Sequence, residues 1–170
     1  MVQVFKNNFN YDHDFKVVSL AYLNRYPNPY AKHVLSIDTI ENFIDNDGNL
    51  HITKLMVKTG RLPSFIKPFL GSNLNSWIIE KTIINPHTSK LVTYSANIDH
   101  RRFIKVEEYI TYRKLSDGVT NVNNKVLFSS NFIGFKQRIE EWSRNKFTSN
   151  IEKSKDGLSY VMNELKKLKT

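Results

Sequence analysis

Arg25 lies in Asn24-Arg25-Tyr26-Pro27-Asn28-Pro29-Tyr30. Proline fixes its own φ and pushes the preceding residue toward extended geometry, so Pro27 and Pro29 stiffen the chain just after the guanidinium. A cation held this way suits an anionic ligand. It equally suits a helix-terminating turn whose charge offsets the helix C-terminal dipole. Lysines recur on apolar stripes elsewhere in the chain. At about 100° per residue, Phe135, Ile139, Lys146 and Lys153 all fall within about 60° of Trp142. A helix that buries this stripe carries two ammonium groups inward, where an unpaired ion costs several kcal/mol, unless their stems snorkel to water. Lys54 and Lys58 likewise alternate in phase with Ile52 and Met56. Leu55 and Val57 mark the opposite face of that strand, so parity leaves open which side is inner.

Other chemistries find no constellation. Asp45-Asn46-Asp47-Gly48-Asn49 begins like a calcium loop, but Leu50 stands where the sixth-position glycine belongs and Met56 where the closing glutamate belongs. It reads as a hairpin turn. Glu107-Glu108 and Glu140-Glu141 are adjacent, which sends their carboxylates to opposite faces of a strand or to non-facing helix positions. The five histidines lack His-x-x-x-His spacing, and no nucleophile-elbow, P-loop or dinucleotide fingerprint occurs. No catalytic residue and no metal site is expected, and the expectation is a protein that is not an enzyme.

The balance of 25 Lys+Arg against 16 Asp+Glu gives a net charge of +9, which favours phosphate-rich or anionic-lipid partners. Aromatic and basic residues interleave in Phe103-Ile104-Lys105-Val106 and Tyr112-Arg113-Lys114, so a basic nucleic-acid-binding domain is the alternative reading, although no recognition motif accompanies them. A lipid-modifying enzyme ranks behind it. The chain has no cysteine, which excludes zinc-thiolate sites and intrachain disulfides. No apolar run approaches the roughly 20 residues of a spanning helix, and the first residues lack a signal-peptide core. A soluble, leaderless protein is the expectation.

The elements that must position these cations are legible in the pattern. Residues 2–9 suit a strand, and Asp12 a helix cap before a helix to Leu23 with Phe15, Val18 and Tyr22 on one face. Strands at 33–45 and 49–59 flank the Asp45–Gly48 turn. Residues 64–71, an apolar stretch bracketed by prolines and too short for a core helix, read as a hydrophobic loop or lid. Strands follow at 75–85, 89–98, 102–115 and 122–131, which makes a mainly antiparallel meander. Residues 134–168 then form one long helix. At 170 residues this is one domain, 1–170, with a real core.

Taken together, Asn24–Tyr30, His33-Val34-Leu35-Ser36-Ile37-Asp38, Lys105-Val106-Glu107-Glu108-Tyr109 and Glu141-Trp142-Ser143-Arg144-Asn145-Lys146-Phe147 resemble the PRELI-domain family over nearly the whole chain. Within it, the Arg25–Tyr30 and His33–Asp38 stretches resemble the branch that carries phosphatidic acid. The phosphatidylserine-carrying branch departs at that turn. The resemblance implies an α+β fold: a curved seven-stranded antiparallel sheet enclosing a lipid cavity, with a short N-terminal helix, a short lid and a long C-terminal helix, similar to START and phosphatidylinositol-transfer proteins.

It further implies transfer of phosphatidic acid from the outer to the inner mitochondrial membrane, supporting cardiolipin synthesis, by a protein of the intermembrane space peripheral to the inner membrane. The partners implied are phosphatidic acid, an anionic membrane surface and a small twin Cx9C helical-hairpin protein in a heterodimer, with no nucleic acid. No cofactor is expected besides the transported phospholipid. By position, the headgroup contacts are Arg25, Lys58, Arg61, Lys146 and Lys153, with Lys54 and His33 as further candidates. The lid implied by the resemblance is 62–71, with Leu62, Phe65 and Phe69 as the residues that touch membrane. Arg61 stands where a lysine is usual and Phe65 where a tryptophan is usual.

Overall fold

The computed structural model describes residues 2–61, 63–71, 73–132 and 134–168, the side chains of Arg61, Asn73 and Leu74 excepted. Ten elements follow in order: β1 (Val2–Tyr11), α1 (Phe15–Leu23), β2 (Val34–Ile44), β3 (Leu50–Arg61), α2 (Lys67–Leu70), β4 (Asn73–Asn85), β5 (Lys90–Asn97), β6 (Ile104–Ser116), β7 (Val119–Ser130) and α3 (Lys136–Lys167). All strands pair antiparallel in one sheet of order β1-β7-β6-β5-β4-β3-β2. The meander runs from β2 to β7, and β1 closes the far side on β7. Fold class and strand count agree with the sequence reading.

The β2–β3 hairpin turns at Asp45–Gly48, as its composition predicts. Asp45 Oδ1 accepts the Asp47 and Asn49 backbone N–H groups at 3.0 and 2.8 Å, and Gly48 takes the positive φ of 78° that a side chain resists. The start of α1 differs from the expectation. Asp14, not Asp12, is the N-cap, and it makes no side-chain bond to its own first turn. Its carboxylate instead accepts the Gly118 N–H at the β6–β7 turn, so a tertiary contact takes over the local capping role.

Two apolar cores lie on the concave face of the sheet. At one end, Phe15, Val18 and Tyr22 of α1 meet Leu158 and Met162 of α3 and Leu91, Tyr112 and Val122 of the sheet. At the other, Ile66, just before α2, is buried with Ile104, Phe128 and Ile139, and Phe65, Phe132, Phe135 and Trp142 pack around them. Full burial of side chains of this size stabilises by roughly 1.5–3 kcal/mol each. Helix α3, about 48 Å long at 1.5 Å per residue, reaches from one core to the other. Where it bridges them it leaves a cavity over the middle of the sheet.

Candidate functional site

The cavity measures about 420 Å³. Phe5, Ile78, Val106, Val126 and Phe128 make its sheet wall, and Trp142, Phe147 and Ile151 its helix wall. The cations from the sequence reading enter from three directions: Arg25 from the turn after α1, Lys58 from β3, and Lys146 and Lys153 from α3, with His33 beside them. The register decides the parity question. Lys58 opposes Ser76, Met56 opposes Ile78 and Lys54 opposes Glu80; Ser76, Ile78 and Glu80 line the cavity, so the lysine face of β3 is the concave one.

Arg25 is held on every side. Its Nη1 donates to the Tyr22 carbonyl at 2.9 Å, and its Nη2 donates to both oxygens of Glu80 at 2.6 Å. The guanidinium also lies 3.9 Å from the Tyr22 ring centroid and 4.6 Å from that of Tyr26. The side chains of Arg25 and Glu80 are 12% and 7% exposed. Burial by itself raises a carboxyl group, but the adjacent Arg25 charge and its hydrogen bonds hold Glu80 below the usual carboxylate range. Arg25 thus has three environments at once: the end of α1, the Glu80 carboxylate and the cavity. The guanidinium does serve the helix-terminal carbonyl, and it does face the cavity, but its charge is already matched by Glu80.

The turn is fixed against α3 by Asn28. Its Nδ2 donates to the Arg25 carbonyl at 2.6 Å, and its Oδ1 accepts the Tyr30 N–H at 2.8 Å. This amide rests on Gly157, where an added Cβ would stand 3.0 Å from Asn28 Oδ1. The single glycine of α3 is thus the place where the Arg25 turn reaches the helix.

Lys58, Lys146 and Lys153 make no hydrogen bond or ion pair among the described residues. Burial, followed by repulsion from Lys58, Lys146 and Lys153, pushes His33 down to about 4. All three lysines and this imidazole line the same cavity. Lys146 is lowered by burial and then by Lys153. His33, Lys146 and Lys153 nevertheless keep solvent exposure at the open side of the cavity. The large burial penalty feared from the Trp142 stripe does not arise, because the stripe borders a cavity that water reaches rather than a dry core.

The remaining candidates separate. Lys54 sits outside the lining, opposite Glu80 in the register; burial and then Arg25 lower it, while Glu80 raises it. Arg61 ends β3, but its side chain, like all of Leu62, lies outside the described residues. Phe65 stacks on Phe135 at 5.4 Å between centroids. Phe69 touches Phe132 and is 56% exposed. The segment 63–71 is thus docked through Phe65 and Ile66 and presents Phe69 outward.

Two cavity residues escaped the sequence reading. Glu80 interrupts the apolar run Trp77-Ile78-Ile79-Glu80-Lys81-Thr82-Ile83-Ile84, and Glu108 alternates in phase with Val106, Ile110 and Tyr112. An acid in phase with apolar residues was the available signal for both. Glu107, on the opposite face, pairs with Arg101 and Lys105.

The sequence pattern of the PRELI-like family matches residues 16–168. Protein UPS1, mitochondrial, of Saccharomyces cerevisiae is 46% identical over 97% of this chain and 95% of that protein. PRELI domain-containing protein 1, mitochondrial, of Homo sapiens is 32% identical over 87% and 69%. Among solved structures, TTHA0849 from Thermus thermophilus superposes with a TM-score of 0.62 at 12% identity, covering 96% of this chain and 99% of that one. A START superfamily protein from Mycobacterium smegmatis gives 0.55 at 7%, covering 93% and 98%. At such identities the likeness is one of fold. The sequence match extends over nearly the whole molecule, cavity walls included, and the chain belongs to the PRELI-like family.

Proposed function

We propose that this protein extracts a single phospholipid with a phosphomonoester headgroup, phosphatidic acid, and carries it between the two mitochondrial membranes, from outer to inner, in support of cardiolipin synthesis. The observation that carries the reading is the convergence of the unpaired Lys58, Lys146 and Lys153 on one cavity whose other walls are apolar. A phosphomonoester carries more than one negative charge near neutral pH. Several lysines that form no ion pair among the described residues match that charge. Two acyl chains in water cost on the order of 20 kcal/mol at about 0.8 kcal/mol per methylene. An apolar cavity removes most of that barrier without any covalent step, so the protein acts as a carrier and not as an enzyme, with no cofactor beyond its cargo.

In this mechanism the basic surface meets an anionic membrane and exposed Phe69 enters the interface. The lid segment 62–71 swings away as Phe65 leaves Phe135, and the headgroup moves to the lysines. The protein works in the intermembrane space, peripheral to the inner membrane, with a small twin Cx9C helical-hairpin partner; the mitochondrial designation of its relatives supports the mitochondrial part of this reading. The nucleic-acid alternative gains little. Phe103 stacks on Phe132, and Lys105 is paired with Glu107. Transfer of fluorescent phosphatidic acid between liposomes tests the proposal. Lys146→Ala/Lys153→Ala protein that folds normally is expected to lose most transfer, and unchanged transfer would remove the lysines from the site.

A further inference from the structure

The two ends of the sheet differ in charge. At the end where β2, β4 and β6 begin, the connecting segments carry Lys32, Lys67, Arg101 and Arg102 against one acid, Asp99, and α3 starts there with exposed Lys136 and Arg138. At the opposite end the connections hold Asp12, Asp14, Asp45, Asp47 and Asp117 and neither lysine nor arginine. Lys16, Lys90, Lys114, Lys166 and Lys167 lie near element termini on that side and offset those acids, Lys114 directly on Asp117. The surplus of positive charge is therefore on the side of segment 63–71.

The β5–β6 connection, residues 98–103, is the pinned part of this basic end. Asn97 Nδ2 donates to the carbonyls of Asp99 and Ile104 at 2.6 and 2.9 Å, Arg101 Nη1 to the Asn97 carbonyl at 2.8 Å, and Asn131 Nδ2 to the Arg102 carbonyl at 2.9 Å. Its inner side reaches the cavity through His100. Its outer side presents Ile98, 51% exposed, and an exposed Arg102. Glu107 engages Arg101, but Arg102 and Lys67 enter no ion pair among the described residues. Phe103 stacks on Phe132, and Phe69 touches the same ring, so segment 63–71 meets this connection through one shared side chain. Exposed cations flanked by exposed apolar side chains fit a bilayer interface, where phosphates lie just above hydrocarbon. A nucleic acid would match the cations, but aliphatic Ile98 gives its bases no ring to stack on. Resting on the carrier reading above, we propose that the β5–β6 connection is a fixed membrane anchor distinct from the lid: Arg102, with Lys67 on the moving segment, binds headgroup phosphates of an anionic bilayer while Ile98 enters its interface. The sheet then stands end-on to the membrane, with the Asp45–Gly48 and Asp117–Gly118 turns directed away. His100 puts the cavity on the bilayer side, and release of Phe69 from Phe132 opens the lid without loss of the anchor.

Flotation of the full chain with vesicles of phosphatidylcholine, alone or with an equal part of phosphatidylglycerol, tests the anchor. Wild-type protein is expected to bind the anionic vesicles and not the neutral ones. Arg102→Glu, folded by circular dichroism, should weaken that binding about tenfold or more, since it removes a cation and adds an anion at the surface. Ile98→Ser should weaken it severalfold. Asp47→Lys makes the opposite charge change at the far end and should leave binding unchanged within about twofold, because that end stands beyond the screening length. Equal and opposite effects of Arg102→Glu and Asp47→Lys would mean attraction by net charge alone and overturn the anchor. So would wild-type protein that stays unbound, unchanged binding by Arg102→Glu, or an Arg102→Glu protein that loses affinity for RNA and keeps it for vesicles. Native mass spectrometry of the same proteins with short-chain phosphatidic acid, given without vesicles, tests the carrier reading by itself. Arg102→Glu is expected to take up as much as wild type; a lower uptake would make Arg102 part of the cavity and overturn the anchor. A wild-type protein that takes up none overturns the carrier reading, whatever the flotation shows.

Discussion

Arg25 Nη2 donates to both carboxylate oxygens of Glu80 at 2.6 Å, in a pair that is nearly buried between the α1 turn and strand β4. A pair this dry is costly to break from one side, because the survivor is left as a buried, uncompensated charge. Arg25→Ala is therefore expected to destabilise the fold by about 3–5 kcal/mol, with Arg25→Glu worse still, since it sets a second carboxylate against Glu80. The double replacement Arg25→Met/Glu80→Leu removes both charges and is expected to recover most of that loss. Urea denaturation of the three variants checks this. Equal stability of Arg25→Ala and wild type would show that the pair contributes nothing.

The lysines are expected to behave in the opposite way. Lys146 is repelled by Lys153 and has no counter-ion among the described residues, so Lys146→Met relieves repulsion and should leave the melting temperature unchanged or slightly higher. Lipid transfer should fall about tenfold or more, the loss of one charge-assisted contact to the phosphate. Thermal melting and transfer measured on one preparation separate the two effects. A parallel loss of both would make Lys146 a structural residue.

His33 supplies a pH readout. Its folded value is pushed down to about 4, by burial first and then by the three lysines, against about 6.5 in an unfolded chain. Between those values the unfolded state binds more protons, so stability from this group is fully present above about 6.5 and is lost as pH falls toward 4. A bound phosphate reverses the local field. The imidazole NMR titration of the empty protein should have its midpoint near 4 and should move upward on lipid loading. A midpoint that ignores loading would place the phosphate elsewhere.

Gly157 is the contact between α3 and the Arg25 turn, with Asn28 against it. Valine there drives a branched side chain into the amide that holds the Arg25 carbonyl. Gly157→Val is expected to cost about 1–3 kcal/mol by overpacking and to weaken lipid binding through displacement of the turn. Gly157→Ser, smaller and polar, should lose less of both. Chemical denaturation and native mass spectrometry check the order.

Strand alternation and turn chemistry made the seven strands and both main helices legible, because strands such as β1 and β7 alternate between a more buried and a more exposed face, although β2 is exposed along most of its length. The cavity itself was legible only through contradiction. Lys146 and Lys153 on the Trp142 stripe, and Lys58 in phase with Met56, are cations where a dry core would forbid them. What parity could not supply was the match between distant acids and these cations. Glu80 meets Arg25 across 55 positions, a pairing fixed by the register of β4 and the angle of the α1 turn rather than by any local pattern. The Asp14 cap shows the same limit, since its partner Gly118 lies 104 residues away.

In the proposed mechanism Lys58, Lys146 and Lys153 hold the phosphate of a lipid within this cavity. Native mass spectrometry of the protein after incubation with phosphatidic acid vesicles tests it most directly. Wild type is expected to emerge with one phosphatidic acid per chain, and Lys58→Ala/Lys146→Ala/Lys153→Ala, folded by circular dichroism, without any. A folded triple variant that retains the same lipid in the same amount, or a wild-type protein that emerges empty, would contradict the account.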